Sequence, residues 1–387
     1  MRILVVTNLG PVGGNPSGGV FIPPRLQGLR NAGADVHLFY PRPHNWVKTR
    51  GRLARDLAAV EMANMSLADH TRLSWQPRVV KIPLLSYLRA RNGRVDSGIG
   101  RIATVIDRAA PDVDVIHAHG LYLPFPAARV AQRLAHLRGV EYVVTAHGSD
   151  INMVNERSLP ALREVAADAS AVFFVSQALA NAALSSGIVA KYAAITPNGF
   201  DPTVFCPAPA TARRSKRVLF VGNLSHVKGA DRLPGIMRFF WRNADAELRI
   251  IGDGPLRESL RSSFTGQPVS ILGRLSQSGV AEEMRTASVL LLPSRSEGWP
   301  TVVLEAHACG LPVVATRVGG TSEAVGDPRM TVDRFEPSEF AALAASAMMN
   351  GDAEALADRA RDFTWESLGK HELQHIRRAT LHDPGVG

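Results

Sequence analysis

The stretch Arg217-Val218-Leu219-Phe220-Val221-Gly222-Asn223-Leu224-Ser225-His226-Val227-Lys228-Gly229 runs a short apolar, β-branched segment into a loop bounded by glycines. Five residues of that kind suit a strand buried on both faces, and the glycines mark a turn where backbone approaches a neighbour or ligand. The chain opens the same way, with residues 3–7 leading into a glycine-rich loop at 8–19. Outward from these two starts, strand-length runs alternate with helix-length amphipathic segments. The strands are read at 35–40, 79–82, 113–117, 141–145, 171–175 and 194–196 in the first half. In the second they fall at 247–251, 269–272, 288–292, 312–316 and 330–332. Helices are read between them, for example at 22–32, 97–109 and 256–261. This alternation is the pattern of parallel sheets with crossover helices.

The 387 residues are too many for one ordinary core and suit two α/β domains. A turn-rich junction, Pro197-Asn198-Gly199-Phe200-Asp201-Pro202, and a Pro- and Ala-rich linker at 206–216 separate the halves. We therefore expect two Rossmann-like domains, 1–203 and 204–362, facing each other across a cleft. Residues 363–387 form a last helix with buried aromatics that crosses back to the first domain. Ligands of such sheets bind beyond the carboxyl ends of the strands, which makes the cleft the expected active site.

The formal net charge is +9, and it is uneven: residues 1–200 hold 22 Lys and Arg against 13 Asp and Glu, and the second half is balanced. Much of the excess lies between Arg42 and Arg94. It suits either an anionic acceptor or membrane surface, or a merely solvated, arginine-rich face. Without interleaved aromatics it does not suggest nucleic acid. No apolar run reaches the length of a membrane span. The apolar opening lacks a signal cleavage site and reads as a buried strand. Cys206 and Cys309 are far apart and without metal-ligand spacing, which places the protein by default in a reducing cytoplasm, including the inner face of the membrane.

The strongest chemical signal is Glu297-Gly298-Trp299-Pro300-Thr301-Val302-Val303-Leu304-Glu305. Two glutamates bracket a turn that opens a helix carrying the second. Amides at a helix start suit an anionic or hydroxyl-rich ligand, and a carboxylate can accept both hydrogen bonds of a sugar or ribose diol. Two solvated glutamates would show the same spacing. Other pieces are Lys228-Gly229, Gly252-Asp253-Gly254-Pro255, Gly273-Arg274, Pro293-Ser294, Val318-Gly319-Gly320 and the earlier Pro197-Asn198-Gly199.

Together, and in this order through nearly the whole chain, these motifs resemble the E-x7-E signature and flanking segments of retaining glycosyltransferases of GT-B fold, best the large fourth family. The resemblance implies that Glu297 contacts the donor sugar, Glu305 the ribose and Lys228 the diphosphate, with Gly222, Gly252, Gly298, Trp299, Pro300 and Thr301 shaping the nucleotide-sugar site. Arg274 would border the base. Many relatives have arginine at the position of Asn223, which carries no charge, so either the diphosphate is held more loosely or another basic residue substitutes. Pro16-Ser17-Gly18-Gly19-Val20-Phe21 would lie over the diphosphate through Gly18 and Gly19. Thr145-Ala146-His147-Gly148-Ser149-Asp150 resembles the motif that sets a histidine, His147, at the reacting carbon and an acid, Asp150, at the acceptor, with His119 lining the site.

His117 and His119 at i, i+2 invite a metal reading, but no cysteine or carboxylate set completes it in the sequence. Asp112-Val113-Asp114 leads into a strand rather than leaving one, so we assign no metal and no cofactor. The implied reaction is metal-independent, retaining transfer from an NDP-sugar, uridine being the commonest base, to a hydroxyl acceptor in surface or lipid-linked glycan assembly. Alternatives are a small soluble acceptor such as a cyclitol, and a nucleotide-sugar-binding protein without catalysis.

Overall fold

The computed structural model describes residues 1–7, 9, 19, 21–44, 78–83, 96–121, 126–152, 156, 158–207, 216–242 and 245–380. The chain divides into two compact units, Met1–Asn198 with Trp365–Gly387, and Gly199–Thr364. Most of the basic stretch between Arg42 and Arg94, the linker core and Gly18 lie outside the described residues.

The first unit holds seven strands: β1 Arg2–Thr7, β2 Asp35–His44, β3 Arg78–Pro83, β4 Val115–His119, β5 Glu141–Ala146, β6 Ala171–Phe174 and β7 Ala193–Ile195. They form one parallel sheet in the order β3-β2-β1-β4-β5-β6-β7. Ile3, Leu4, Val5 and Val6 are all fully buried, as a central parallel strand covered on both faces requires. The order reverses direction between β1 and β4, and that switch point leaves a crevice at the carboxyl ends of the two strands.

The second unit repeats the plan. Strands β8 Arg217–Val221, β9 Glu247–Ile251, β10 Val269–Gly273, β11 Val289–Leu292, β12 Val313–Thr316 and β13 Thr331–Val332 pair in parallel in the order β10-β9-β8-β11-β12-β13. Its switch point lies between β8 and β11. Val218, Phe220, Ile250, Leu291, Met237 and Phe340 belong to its core.

Two readings from sequence need correction. The strand expected at 113–117 begins two residues later, because Val113 and Asp114 are still entering the sheet, and His117 therefore sits within β4 rather than at its end. The last helix, Trp365–Thr380, is not held by buried aromatics. Trp365 and the preceding Phe363 are half-buried, and the buried face is Gly369, Glu372, Leu373 and Ile376. That face packs on the helix Ile22–Asn31 at a crossing too tight for side chains: a Cβ on Gly28 would lie 2.2 Å from the Trp365 carbonyl oxygen. Among the described residues, no helix is long and apolar enough to cross a membrane.

Candidate functional site

In the second unit, the loops leaving β8 and β11 meet at the switch point. The Lys228 ammonium donates to both carboxylate oxygens of Glu297 at 2.8 Å, and the Ser294 hydroxyl donates to Glu297 Oε1 at 2.7 Å. The side chain of Glu297 is 6 % exposed and that of Lys228 36 %, so the pair is anchored on the acid and open to solvent on the ammonium. The loops can approach this closely because two positions carry no side chain. Gly229 has φ +70°, and a Cβ there would fall 1.9 Å from the Pro293 carbonyl oxygen; Gly319 has φ +52°, and its Cβ would fall 1.8 Å from that of Glu297.

Other residues expected at the donor site lie on loops and a helix of the same unit. Gly298, Trp299 and Pro300 lead into the helix Thr301–Ala308, whose N-terminus has no side-chain cap. The Trp299 ring lies 5.7 Å from that of Phe363. Glu305, on the same helix, has a carboxyl pushed up to about 7 by burial. Gly222 and Gly252 stand at the ends of β8 and β9, where the Gly222 amide donates to the Ile251 carbonyl and the Gly252 amide to Gly273. Asn223 and Arg274 are exposed. Two arginines of this unit are already engaged and do not stand in for a cation at Asn223: Arg295 is forked onto Asp231 at 2.7 Å, and Arg232 donates to the Pro293 carbonyl while stacking on Phe335.

In the first unit, the histidines cluster at the β1–β4 switch point. His147 Nε2 shares a hydrogen bond of 3.0 Å with His119 Nδ1, and its ring lies 4.8 Å from Phe21. His117 and His119 lie on the same face, rings 4.2 Å apart, and His117 Nε2 bonds the Thr145 hydroxyl at 2.8 Å. Burial first, then neighbouring positive charge, pulls His119 and His147 well below the usual imidazole range and His117 to about 3. All three are therefore neutral at physiological pH. His147 Nδ1 is buried without a hydrogen-bond partner among the described residues, a vacant polar atom at the strand end. Asp150 is buried, and its carboxylate accepts the amides of Leu121, His147 and Gly148 at 2.9–3.0 Å. Through these three contacts it fixes the His147 loop. Of the glycine loop, Gly19 is described, with φ +64°, at the start of the turn into the first helix.

Two residues of this cluster escaped the sequence reading. Arg25 and Glu372, each 2 % exposed, form a buried ion pair at 2.9 Å. Arg25 also reaches the Thr196 hydroxyl at 2.7 Å and Asn198 Oδ1 at 3.0 Å. The signal was present but faint: a charge at a core-facing position of an otherwise apolar helix face, Arg25 between Ile22 and Leu29, Glu372 beside Leu373 and Ile376. Donor atoms of His117, His119 and Glu372 lie within 4.8 Å of one another. However, the Glu372 carboxylate already holds a guanidinium, and a second cation there would meet the charge of Arg25. Asp114, of the Asp-x-Asp, is taken by Arg2 at 2.8 Å.

Comparison with known proteins matches this architecture. A family model described as Glycosyltransferase Family 4 matches residues 26–204, and one described as Glycosyl transferases group 1 matches residues 215–350. A D-inositol 3-phosphate glycosyltransferase of Paenarthrobacter aurescens is 30% identical over 302 residues, covering 69% of this chain and 73% of that protein. The Bacillus subtilis protein named as the teichuronic acid biosynthesis glycosyltransferase TuaC is 27% identical over 340 residues, covering 84% and 83%. The crystal structure of Anabaena HepE in complex with UDP-glucose superposes with a TM-score of 0.70 at 18% identity, covering 97% of this chain and 99% of that one. The chain thus belongs to the family-4 glycosyltransferases of group 1, and its two parallel-sheet units are those of the GT-B fold.

Proposed function

We propose that this glycosyltransferase moves a sugar from a nucleoside-diphosphate donor, UDP-sugar foremost, to an acceptor hydroxyl, retaining the anomeric configuration and needing no obligatory metal. The observation that carries the reading is the Lys228–Glu297 pair at the β8–β11 switch point, an exposed ammonium held over a buried carboxylate. As the glycosidic bond breaks, charge gathers on the departing diphosphate oxygens. An ammonium fixed beside them stabilises that charge without reorganising, and the uncapped N-terminus of Thr301–Ala308 adds its amides and dipole. Glu297 then turns from Lys228 to the sugar hydroxyls, and Glu305 accepts from the ribose. In a front-face course the leaving diphosphate oxygen takes the acceptor proton, so no separate base is required. Neutral His147 offers Nδ1 to a sugar hydroxyl, while Asp150 acts through that loop.

For the acceptor, we place the enzyme in surface or lipid-linked glycan assembly. The name of TuaC, which this chain matches over 84% of its length, supports that reading, as does the basic first half. A second reading, a small anionic cyclitol acceptor, is favoured by the relatives named for D-inositol 3-phosphate. A screen of UDP-, GDP- and ADP-sugars for thermal stabilisation and slow hydrolysis tests the donor. Transfer onto a lipid-linked acceptor or onto inositol phosphate then decides between the two acceptors. Absence of stabilisation or hydrolysis with every nucleotide sugar would reject the catalytic reading.

A further inference from the structure

The last helix carries His371-Glu372-Leu373-Gln374-His375, histidines at i and i+4 with a glutamate between. On a helix this spacing puts both imidazoles on one face, and in hydrolytic zinc sites the glutamate serves as the base. Here that role is closed: Glu372 faces the core, with both oxygens held by Arg25 at 2.9 Å. The histidines lie to one side of it, His371 exposed and His375 half-buried. Their Nε2 atoms stand 2.9 Å apart.

We propose that His371 and His375 form a two-histidine chelate for one divalent transition-metal ion, separate from the sugar-transfer chemistry. Imidazole nitrogens about 2.05 Å from a metal lie about 2.9 Å apart at a right angle and about 3.3 Å apart at the tetrahedral angle. The two Nε2 atoms are thus close enough to serve neighbouring positions of one ion, and Ni2+ and Cu2+ are well suited to imidazole ligands. The orientation is set from behind. The Tyr192 hydroxyl bonds His375 Nδ1, which leaves Nε2 as the ring nitrogen turned to the ligand position. Among the described residues no third histidine, cysteine or carboxylate joins the pair, so water completes the coordination. Because both ligands belong to one helix, a bound ion staples a turn of the segment that packs on Ile22–Asn31.

The test is calorimetric titration of the tag-free full chain with Ni2+ in a non-chelating buffer. One ion binds per chain, and His371→Ala and His375→Ala each weaken it tenfold or more, while Tyr192→Phe weakens it severalfold. His136→Ala, at an exposed histidine on another helix, leaves the affinity unchanged. Ni2+ raises the melting temperature of the native chain and not of His371→Ala, and millimolar Mg2+ does neither. Since His371 is exposed, its variant keeps the fold and decides the matter: Ni2+ affinity unchanged in His371→Ala overturns the assignment.

Discussion

Replacing Glu297 by glutamine separates two jobs that the structure gives one carboxylate. In the free protein Glu297 neutralises Lys228 through two contacts of 2.8 Å, and an arriving diphosphate must compete for that ammonium. Glutamine keeps the shape and the Ser294 contact but removes the charge, so Lys228 is released to the diphosphate. The ammonium is about a third exposed, so the released attraction is screened and amounts to about 0.5–1 kcal/mol. That corresponds to roughly two- to fivefold tighter binding of UDP alone. The sugar, by contrast, loses a charged acceptor in the transition state, and we expect kcat to fall by about 30-fold or more, or about 2 kcal/mol. Lys228→Met should behave oppositely toward the nucleotide: it removes a charge-assisted contact of about 1.5–3 kcal/mol, weakening UDP roughly 10- to 150-fold. Calorimetry with UDP and initial-rate kinetics with the donor chosen by screening give both quantities. Equal weakening of UDP by the two variants would refute the competition argument, and near-normal turnover in both would refute the site.

Other expectations follow from the same geometry. Glu372→Ala strands the buried Arg25 guanidinium and should cost about 3–5 kcal/mol of stability, with Arg25→Met/Glu372→Leu recovering much of it; chemical denaturation measures both, and additive losses would contradict the pairing. Gly229→Ala and Gly319→Ala drive a Cβ into a carbonyl and hold alanine at positive φ, so donor binding should fall at least tenfold while a surface glycine such as Gly266 tolerates the change better. His117, His119 and His147 have folded pKa values below the unfolded value of about 6.5, so the unfolded chain binds more protons under acid. Their contribution to stability is present above about pH 6.5 and is lost progressively as pH falls below it. Melts at pH 5 and pH 7.5 should show this loss diminished in His117→Phe, and an unchanged difference would argue against a neutral buried cluster.

The parallel-sheet plan was readable because strands buried on both faces announce themselves as short apolar runs; the second-unit strands 217–221 and 247–251 match residue for residue. Element ends were harder. Val113 looked like strand, yet pairing starts at Val115, because apolarity records burial and not hydrogen bonding. The motif residues Lys228 and Glu297 were visible, but their contact, between residues 69 positions apart, was not. Arg25 and Glu372 illustrate the limit more sharply. Each appears in sequence as an ordinary helix charge, and only the close crossing of two helices 347 residues apart makes them a buried pair. Asp150 shows a different limit: resemblance assigned this acid to the acceptor, while its engagement by three backbone amides was not visible in the sequence.

Hydrogen-exchange mass spectrometry with and without the nucleotide of the preferred donor examines the donor site itself. Slowed exchange concentrated in segments 222–229, 251–256 and 293–305 is the predicted result. Protection confined to other parts of the chain, with those three unchanged, would contradict the assignment of Lys228 and Glu297 to the activated sugar.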